Sequence, residues 1–182
     1  SVNNSMTSIL GTQSIQHPNG TAAASINSSG VVTFNSTPNL SSGSMSNAPA
    51  FKATKSTSQT ISANSWQKVE FDSELLDTDN CYDNSTNYRF TPNVAGKYWI
   101  YCNLYSGTPN THIYSAITFN GTRTLAGNID GSQAGNVFLA NIFTFNGSSD
   151  YVEVQSYQGT SNGDISTTEQ FSVFGGYKLI GI

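Results

Sequence analysis

The residues at 96–105 constrain the fold more than any other stretch, because they are apolar on both faces of a predicted strand. Side chains alternate between the two faces of a strand. One face carries four apolar side chains: Tyr98, Ile100, Cys102 and Leu104. The other face carries three aromatic side chains: Trp99, Tyr101 and Tyr105. A β-sandwich buries only one face of each sheet in its own core, so the second face needs a further cover.

Another copy of the same chain is the simplest cover for a second apolar face. The strand predicted at 170–180 also carries large apolar residues on both faces. We therefore expect a homo-oligomer whose subunits meet through the outer face of the sheet that holds both strands. The predicted interface residues are Trp99, Tyr101, Tyr105 and Phe174. The alternative is that a loop or the N-terminal segment covers this face.

Composition predicts an all-β protein with hardly any helix. Charged residues make up 10% of the chain, well below the roughly 25% of an ordinary domain. The polarity comes instead from Ser, Thr, Asn and Gly, which suit strands and turns. Hairpin turns are predicted at Asn120-Gly121 and Asn146-Gly147. About ten short strands, typical of a β-sandwich or jelly roll, are predicted at 50–55, 59–63, 67–71, 87–91, 96–105, 113–119, 122–128, 135–145, 150–157 and 170–180.

Residues 1–48 differ from the rest of the chain and are predicted to form a separate arm and linker. Phe34 is their only aromatic residue, and turn signals recur at Asn19-Gly20 and Ser29-Gly30. So little apolar surface cannot offset the entropy lost on ordering a lone segment. We therefore expect an extended arm that is disordered, or that becomes ordered by packing on copies of itself or on a larger partner. The second domain is predicted at 49–182.

Charge and cysteine content argue against several classes of protein. The net charge is −4 and the Lys and Arg residues never cluster, so the basic stripe that a nucleic-acid partner requires is missing. Membrane insertion is not expected, because no apolar segment approaches the roughly 20 residues of a membrane helix. Cys81 and Cys102 are predicted to be free thiols, since two cysteines in a chain of this length make no disulfide framework.

No pattern in the sequence predicts catalysis or a cofactor. His17 lies in a turn and His112 in a loop, and neither has the carboxylate and nucleophile neighbours of a hydrolytic site. The acidic stretch at 72–83 offers weak calcium candidates in Asp77, Asp79 and Asp83. Its spacing fails the EF-hand pattern, so a solvated acidic loop is the favoured interpretation.

The order of motifs after residue 48 resembles the globular head of complement C1q, within the tumour-necrosis-factor-like jelly rolls. The resemblance begins at Pro49-Ala50-Phe51 and continues through Phe71, Asp77, Tyr82, Phe90, Gly96, Tyr98 and Ile100. The segments AITFNGTRT, FNGSSDYVEVQ and FSVFGGYKL are similar to later strands and hairpins of that family. The interval from Tyr82 to Phe90 is one residue longer than the family pattern. The resemblance implies a ten-strand jelly roll that forms a compact homotrimer.

The N-terminal segment SIQHPNGTAAASINSSGVVTF resembles leader modules of structural proteins from tailed bacteriophages, chiefly marine and cyanobacterial phages. In those proteins such a leader often precedes a head-like adhesion or decoration domain. The resemblance implies a virion protein that is assembled in the host cytoplasm and lies at the virion surface. Residues 1–48 would then contact other virion proteins.

The combined hypothesis is a non-enzymatic fibre or spike protein whose trimeric head recognises the host surface. Four residues of the head are candidates for contacting a cell-surface glycan or protein: Tyr105, Asn110, His112 and Tyr157. The alternative is a capsid or tail decoration protein with a purely structural role. A secreted cellular lectin-like head is a third interpretation.

Replacing Tyr101 with Lys tests the predicted interface. The Tyr101→Lys side chain would bring a charge into an apolar contact, so the trimer should dissociate while the strands of the head remain. Light scattering reports the mass of the variant, and circular dichroism reports its strand content. An unfolded monomer, or a trimer that stays intact, would mean that the faces of this strand are assigned wrongly.

Overall fold

The structure, a computed structural model, describes residues 14–16, 22–35, 46–167 and 170–180. The chain divides into two compact units, Ser1–Ser44 and Met45–Ile182. The boundary predicted after residue 48 lies a few residues beyond this division. The two units are described separately below.

The described part of the first unit is a small antiparallel sheet. Its strands follow the order β1 (Ser14–Gln16), β2 (Ala22–Ile26) and β3 (Val32–Phe34). The turn between β2 and β3 is held by the Asn27 side chain, whose Oδ1 accepts hydrogen bonds from the N–H groups of Ser29 and Val31 at 3.0 and 2.9 Å. The prediction of an extended arm is therefore wrong for these residues, because local Asn turn chemistry allows the strands to pair. The turn predicted at Asn19-Gly20 lies outside the described residues.

The second unit consists of strands joined by turns and loops. Its strands are β4 (Ala50–Thr54), β5 (Gln59–Ile61), β6 (Trp66–Lys68), β7 (Ser73–Asp77), β8 (Tyr82–Asp83), β9 (Arg89–Phe90), β10 (Gly96–Phe119), β11 (Thr122–Phe145), β12 (Val152–Gln158), β13 (Gly163–Ile165) and β14 (Val173–Lys178). Sequence analysis did not predict β7, β8 or β13. It also divided β10 and β11 into two strands each. Both are continuous, with the pairing shifted in register between Ser106 and His112 rather than ended there.

The long β10–β11 hairpin takes part in two sheets. Residues 96–106 of β10 pair with the second half of β11 on one side and with β14 on the other, and β14 pairs in turn with β4 and β4 with β7. We call this the first sheet. Residues 113–119 of β10 pair with the first half of β11 and with β12, and β12 pairs with β6 and β9. We call this the second sheet.

A single aromatic-rich core lies between the two sheets. Its largest fully buried side chains include six aromatic residues: Phe51, Phe71, Phe90, Tyr98, Phe145 and Phe174. Their rings contact one another; the Phe51 and Phe90 centroids, for example, are 4.2 Å apart. The Tyr98 hydroxyl donates a 2.7 Å hydrogen bond to the Val94 carbonyl, so its polar end is satisfied. The core-facing prediction for Tyr98, Ile100, Cys102 and Leu104 is confirmed.

Local turn chemistry defines the two predicted hairpin turns. Asn120 and Gly121 both adopt positive φ, at 50° and 79°, as a two-residue hairpin turn requires. Asn146 Oδ1 accepts backbone hydrogen bonds from Ser148 and Ser149, and Gly147 has a φ of 76°. The hairpin turn at Asn120-Gly121 is confirmed, since Phe119 on β10 pairs with Thr122 on β11. Asn146-Gly147 forms a turn as predicted, but the strands that it joins, β11 and β12, do not pair with each other, so the prediction of a hairpin there is wrong. Cys81 and Cys102 are buried free thiols, as predicted.

Phe174 is a core residue and not an interface residue. It pairs with Cys102, which faces the core, and its own exposed fraction is 0%. Its ring contacts Phe51 and Phe71 at centroid distances of 4.9 and 5.7 Å. The prediction that Phe174 belongs to the subunit interface is therefore wrong. The cause is that β14 is apolar on both faces, so its sequence alone does not tell which face is inside.

Truncating Phe174 should destabilise the fold itself. Phe174→Ala removes a fully buried ring, and such changes cost about 3–5 kcal/mol of unfolding free energy. Val94→Ala, at an exposed apolar position, serves as the control and should stay within about 0.5 kcal/mol of the parent. Denaturant unfolding measures both. A small loss for Phe174→Ala would contradict the placement of this ring in the core.

Candidate functional site

The outer face of the first sheet is apolar and largely uncovered. Trp99, Tyr101 and Tyr105 are half-buried on this face of β10. The Tyr101 ring lies over Gly175 of β14. A Cβ atom at Gly175 would come within 2.5 Å of the hydroxyl oxygen of Tyr101. Exposed apolar side chains surround these residues: Phe138, Ile142, Phe171 and Tyr177. We call this set the apolar face; its role as a subunit interface remains a prediction.

The second sheet carries a different feature on its outer face. Trp66, His112, Tyr114 and Tyr157 line a cleft of about 390 Å³, which we call the aromatic cleft. Strand pairing aligns its three large rings, because Tyr157 is the partner of both Trp66 on β6 and Tyr114 on β10. Their centroids are 5.7–6.2 Å apart, and His112 lies 6.1 Å from Tyr114 on the same face of β10. Four aromatic rings from three strands therefore form one continuous surface.

Hydrogen bonds hold two of the cleft residues in place. The Tyr157 hydroxyl donates to Asn64 Oδ1 at 3.1 Å. His112 Nδ1 is 2.9 Å from Asp130 Oδ1 across the β10–β11 pair. The hydrogen bond to His112 and a second one to Asn128 hold the pKa of Asp130 below its usual range. Its carboxylate is therefore charged and accepts a hydrogen bond from Nδ1–H of His112. Nε2 is then the ring nitrogen of His112 that is available to a ligand.

An arginine lies over the ring of one cleft residue. The Arg123 guanidinium lies 4.7 Å from the centre of the Trp66 ring, and its Nη1 donates to Gln155 Oε1 at 3.1 Å. Ala116 lies between these strands and is fully buried, although it alternates with the core-facing Ile117.

The structure brings together two of the four residues that were predicted to contact a host-surface ligand. His112 and Tyr157 line the cleft. Tyr105 does not, because it lies on the apolar face, where its ring is 5.1 Å from that of Phe171. The side chain of Asn110 is outside the described residues.

Two residues that line the cleft, Tyr114 and Trp66, are not among those predicted from the sequence. Tyr114 follows His112 by two positions, and the period of two in a strand puts both on one face. That signal was present in the sequence. Trp66 reaches the cleft only through the pairing of β6 with β12, and sequence spacing does not reveal this pairing.

The calcium candidates are used in local turns instead. Asp77 accepts a 2.7 Å hydrogen bond from the N–H of Tyr82. Asp83 accepts backbone hydrogen bonds from Ser85, Thr86 and Asn87. Within the described ranges, no group of three His, Cys, Asp or Glu side chains could hold a metal ion. The structure thus does not assemble Asp77, Asp79 and Asp83 into a calcium site.

Comparisons with known proteins identify the fold. No family model and no curated protein matches the chain. Murine APRIL matches with a TM-score of 0.59 and 10% identity, over 71% of this chain and 98% of that chain. The Eiger TNF of S. frugiperda matches with a TM-score of 0.59 and 11% identity, over 73% and 93%. The globular domain of the zebrafish complement 1qA protein matches with a TM-score of 0.54 and 19% identity, over 74% and 98%.

The chain has an all-β sandwich fold of the TNF and C1q type. This finding confirms the fold that the motifs after residue 48 predicted. At 10–19% identity the likeness extends to the fold alone. Proteins with this fold are typically not enzymes. In the part of the chain that the structure describes, no helix has the length and apolar character needed to cross a bilayer.

Asp83 should make stability depend on pH. Hydrogen bonds from the backbone of Thr86 and its neighbours hold the pKa of Asp83 far below its usual range. The contribution of Asp83 to the free energy of unfolding is therefore fully present above the unfolded-state pKa of about 3.9. It is lost as the pH falls through the lower folded-state pKa. The stability difference between the parent and Asp83→Ala should narrow below about pH 4. Val94→Ala, at an exposed apolar position, is the control. An Asp83→Ala difference as constant with pH as that of the control would contradict this assignment.

Proposed function

We propose that this chain is a trimeric virion protein of a tailed phage that recognises the host surface through its C-terminal head. The observation that carries the proposal is the contrast between the two outer faces of the sandwich. One is apolar and extended, which suits a sister subunit. The other holds a cleft of four aromatic side chains with polar neighbours, which is the usual composition of a ligand site.

The apolar face and one edge of the sandwich support assembly into a trimer. Among the described strands, β11 pairs only with β10, so one edge of this 24-residue strand has no strand partner. Unpaired edges of this length are normally covered. The apolar face extends onto this strand through Phe138, which is 64% exposed, and Ile142. Packing this edge against the apolar face of the next subunit would be a head-to-tail contact that closes into a ring.

The fold supports a trimer as well. Proteins of the C1q and TNF fold commonly form homotrimers. A trimer would also convert three weak sites into one avid attachment, since the second and third contacts become intramolecular.

Attachment to the particle is assigned to residues 1–48. Their support is the resemblance of this segment to phage leader modules. The first unit also exposes Val31, Val32 and Phe34, and exposed apolar side chains on a small sheet favour a partner. The same observation favours the second candidate function, a decoration protein that joins neighbouring virion subunits through this segment.

Competition for adsorption separates the two functions. Purified full-length protein should slow adsorption of the phage that encodes it, because free heads occupy the host receptors. Trp66→Ala should lose this effect, since Trp66 forms part of the cleft. Tyr151→Ala should retain it, because Tyr151 lies near the opposite end of β12 with the Arg89 guanidinium 4.3 Å from its ring. The decoration function would be supported by two results together. The purified protein would not slow adsorption, and deletion of its gene would leave adsorption intact but weaken the particle.

A further inference from the structure

We propose that the aromatic cleft binds the ring of a neutral sugar. This inference names the ligand class for the recognition role proposed above and rests on that role for its biological setting. The binding itself follows from the cleft alone and is tested separately.

The rings of the cleft match the apolar side of a sugar. A pyranose presents C–H groups on its faces, and these carry a small positive charge. The face of an aromatic ring is apolar and carries negative charge density, so the two surfaces attract. Trp66, Tyr114 and Tyr157 are each half-buried. Their planes are inclined by 45–75° to one another. A ligand in the cleft therefore meets aromatic surface from more than one direction.

The polar groups around the rings match the hydroxyls of a sugar. Each sugar hydroxyl both donates and accepts hydrogen bonds, so a suitable site offers both kinds of partner. His112 Nε2 accepts when the ring is neutral, because Nδ1–H is directed to Asp130. The Asn64 amide beside Tyr157 and the guanidinium of Arg123 over Trp66 supply donors. A few fixed polar groups around an aromatic surface are what a selective small-ligand site needs.

These groups are already oriented before a ligand arrives. Each side chain is held by a hydrogen bond: Tyr157 to Asn64, His112 to Asp130 and Arg123 to Gln155. Ordering flexible side chains opposes binding, and here that cost is reduced because the bonds exist in the free protein.

Other ligand classes fit less well. A quaternary ammonium needs space between separated rings, but the cleft rings are in contact at 5.7–6.2 Å, and Arg123 already occupies one cation position on Trp66. Polyanions are disfavoured by the net charge of −4 and by the exposed Asp130 carboxylate. An extended proline-rich peptide requires a longer series of grooves than four lining residues provide.

The test uses the full-length protein on a printed array of oligosaccharides that includes neutral and sialylated members. Neutral oligosaccharides should bind, and titration calorimetry on those that do should give a defined affinity. Trp66→Ala should lower that affinity by about tenfold or more, as loss of a stacking ring does. His112→Ala should lower it several-fold. Ligand should also change the tryptophan fluorescence of the parent, and this change should shrink in Trp66→Phe.

Tyr151→Ala is the matched control. Tyr151 also carries an arginine over its ring, at 4.3 Å, and lies near the other end of β12, so its loss should leave sugar affinity unchanged. Circular dichroism and solution mass check that every variant is folded. If Trp66→Ala does not fold, Trp66→Phe and Tyr157→Phe replace it, each with a smaller expected loss.

Three results would overturn the proposal: no member of the array binds, only sialylated members bind, or sugar affinity is the same in the parent and in folded Trp66 variants. The proposed function can fail independently. If the protein competes with phage for adsorption but binds no neutral sugar, the proposed recognition role stands and the proposed sugar ligand is wrong. If the protein binds a neutral sugar through Trp66 but does not compete for adsorption, the proposed sugar ligand stands and the proposed recognition role is wrong.

Discussion

The β10–β11 hairpin is the constraint on which the rest of the structure depends. Both strands have 24 residues, and together they cross from the first sheet to the second, with a shift of register between Ser106 and His112. Every other strand of the core is placed by its distance from this pair, with β14 beside one half and β12 beside the other. The same strand β10 therefore carries Tyr101 on the apolar face and Tyr114 in the aromatic cleft.

A low charge content changes how such a fold is held together. Stability here comes from the aromatic core and from side chains that bond to the backbone, such as Asp83 and Asn146 in their turns. Lys68 and Glu153 form a 2.7 Å ion pair in which the carboxylate is nearly buried, which fits the rule that buried charges are paired. Since few charges compete at the surface, the outer faces of the sheets are free to carry aromatic side chains.

Local patterns in the sequence predicted the parts of the fold that local physics decides. The period of two put Tyr98 and Ile100 inside, and the two Asn-Gly pairs located turns, of which Asn120-Gly121 closes the β10–β11 hairpin. Phe174 was assigned to the wrong face because β14 is apolar on both sides, and only its pairing with Cys102 decides the matter. The sequence predicts only two of the four residues that line the cleft, His112 and Tyr157. Trp66 joins them through the pairing of β6 with β12, which the sequence does not reveal.

The two outer faces of the sandwich would allow the proposed assembly and the proposed recognition to take place together. In the proposed trimer, a sister subunit on the apolar face would cover the first sheet and leave the second sheet, on the other side of the core, open to a ligand. Three copies would then present three aromatic clefts away from the contact that joins them. Aromatic surface of this kind gives modest affinity in a single shallow site, and repeated sites on one rigid body raise the overall affinity without new contacts. The apolar second face of β10 would in this way determine both that the protein assembles and how strongly it attaches.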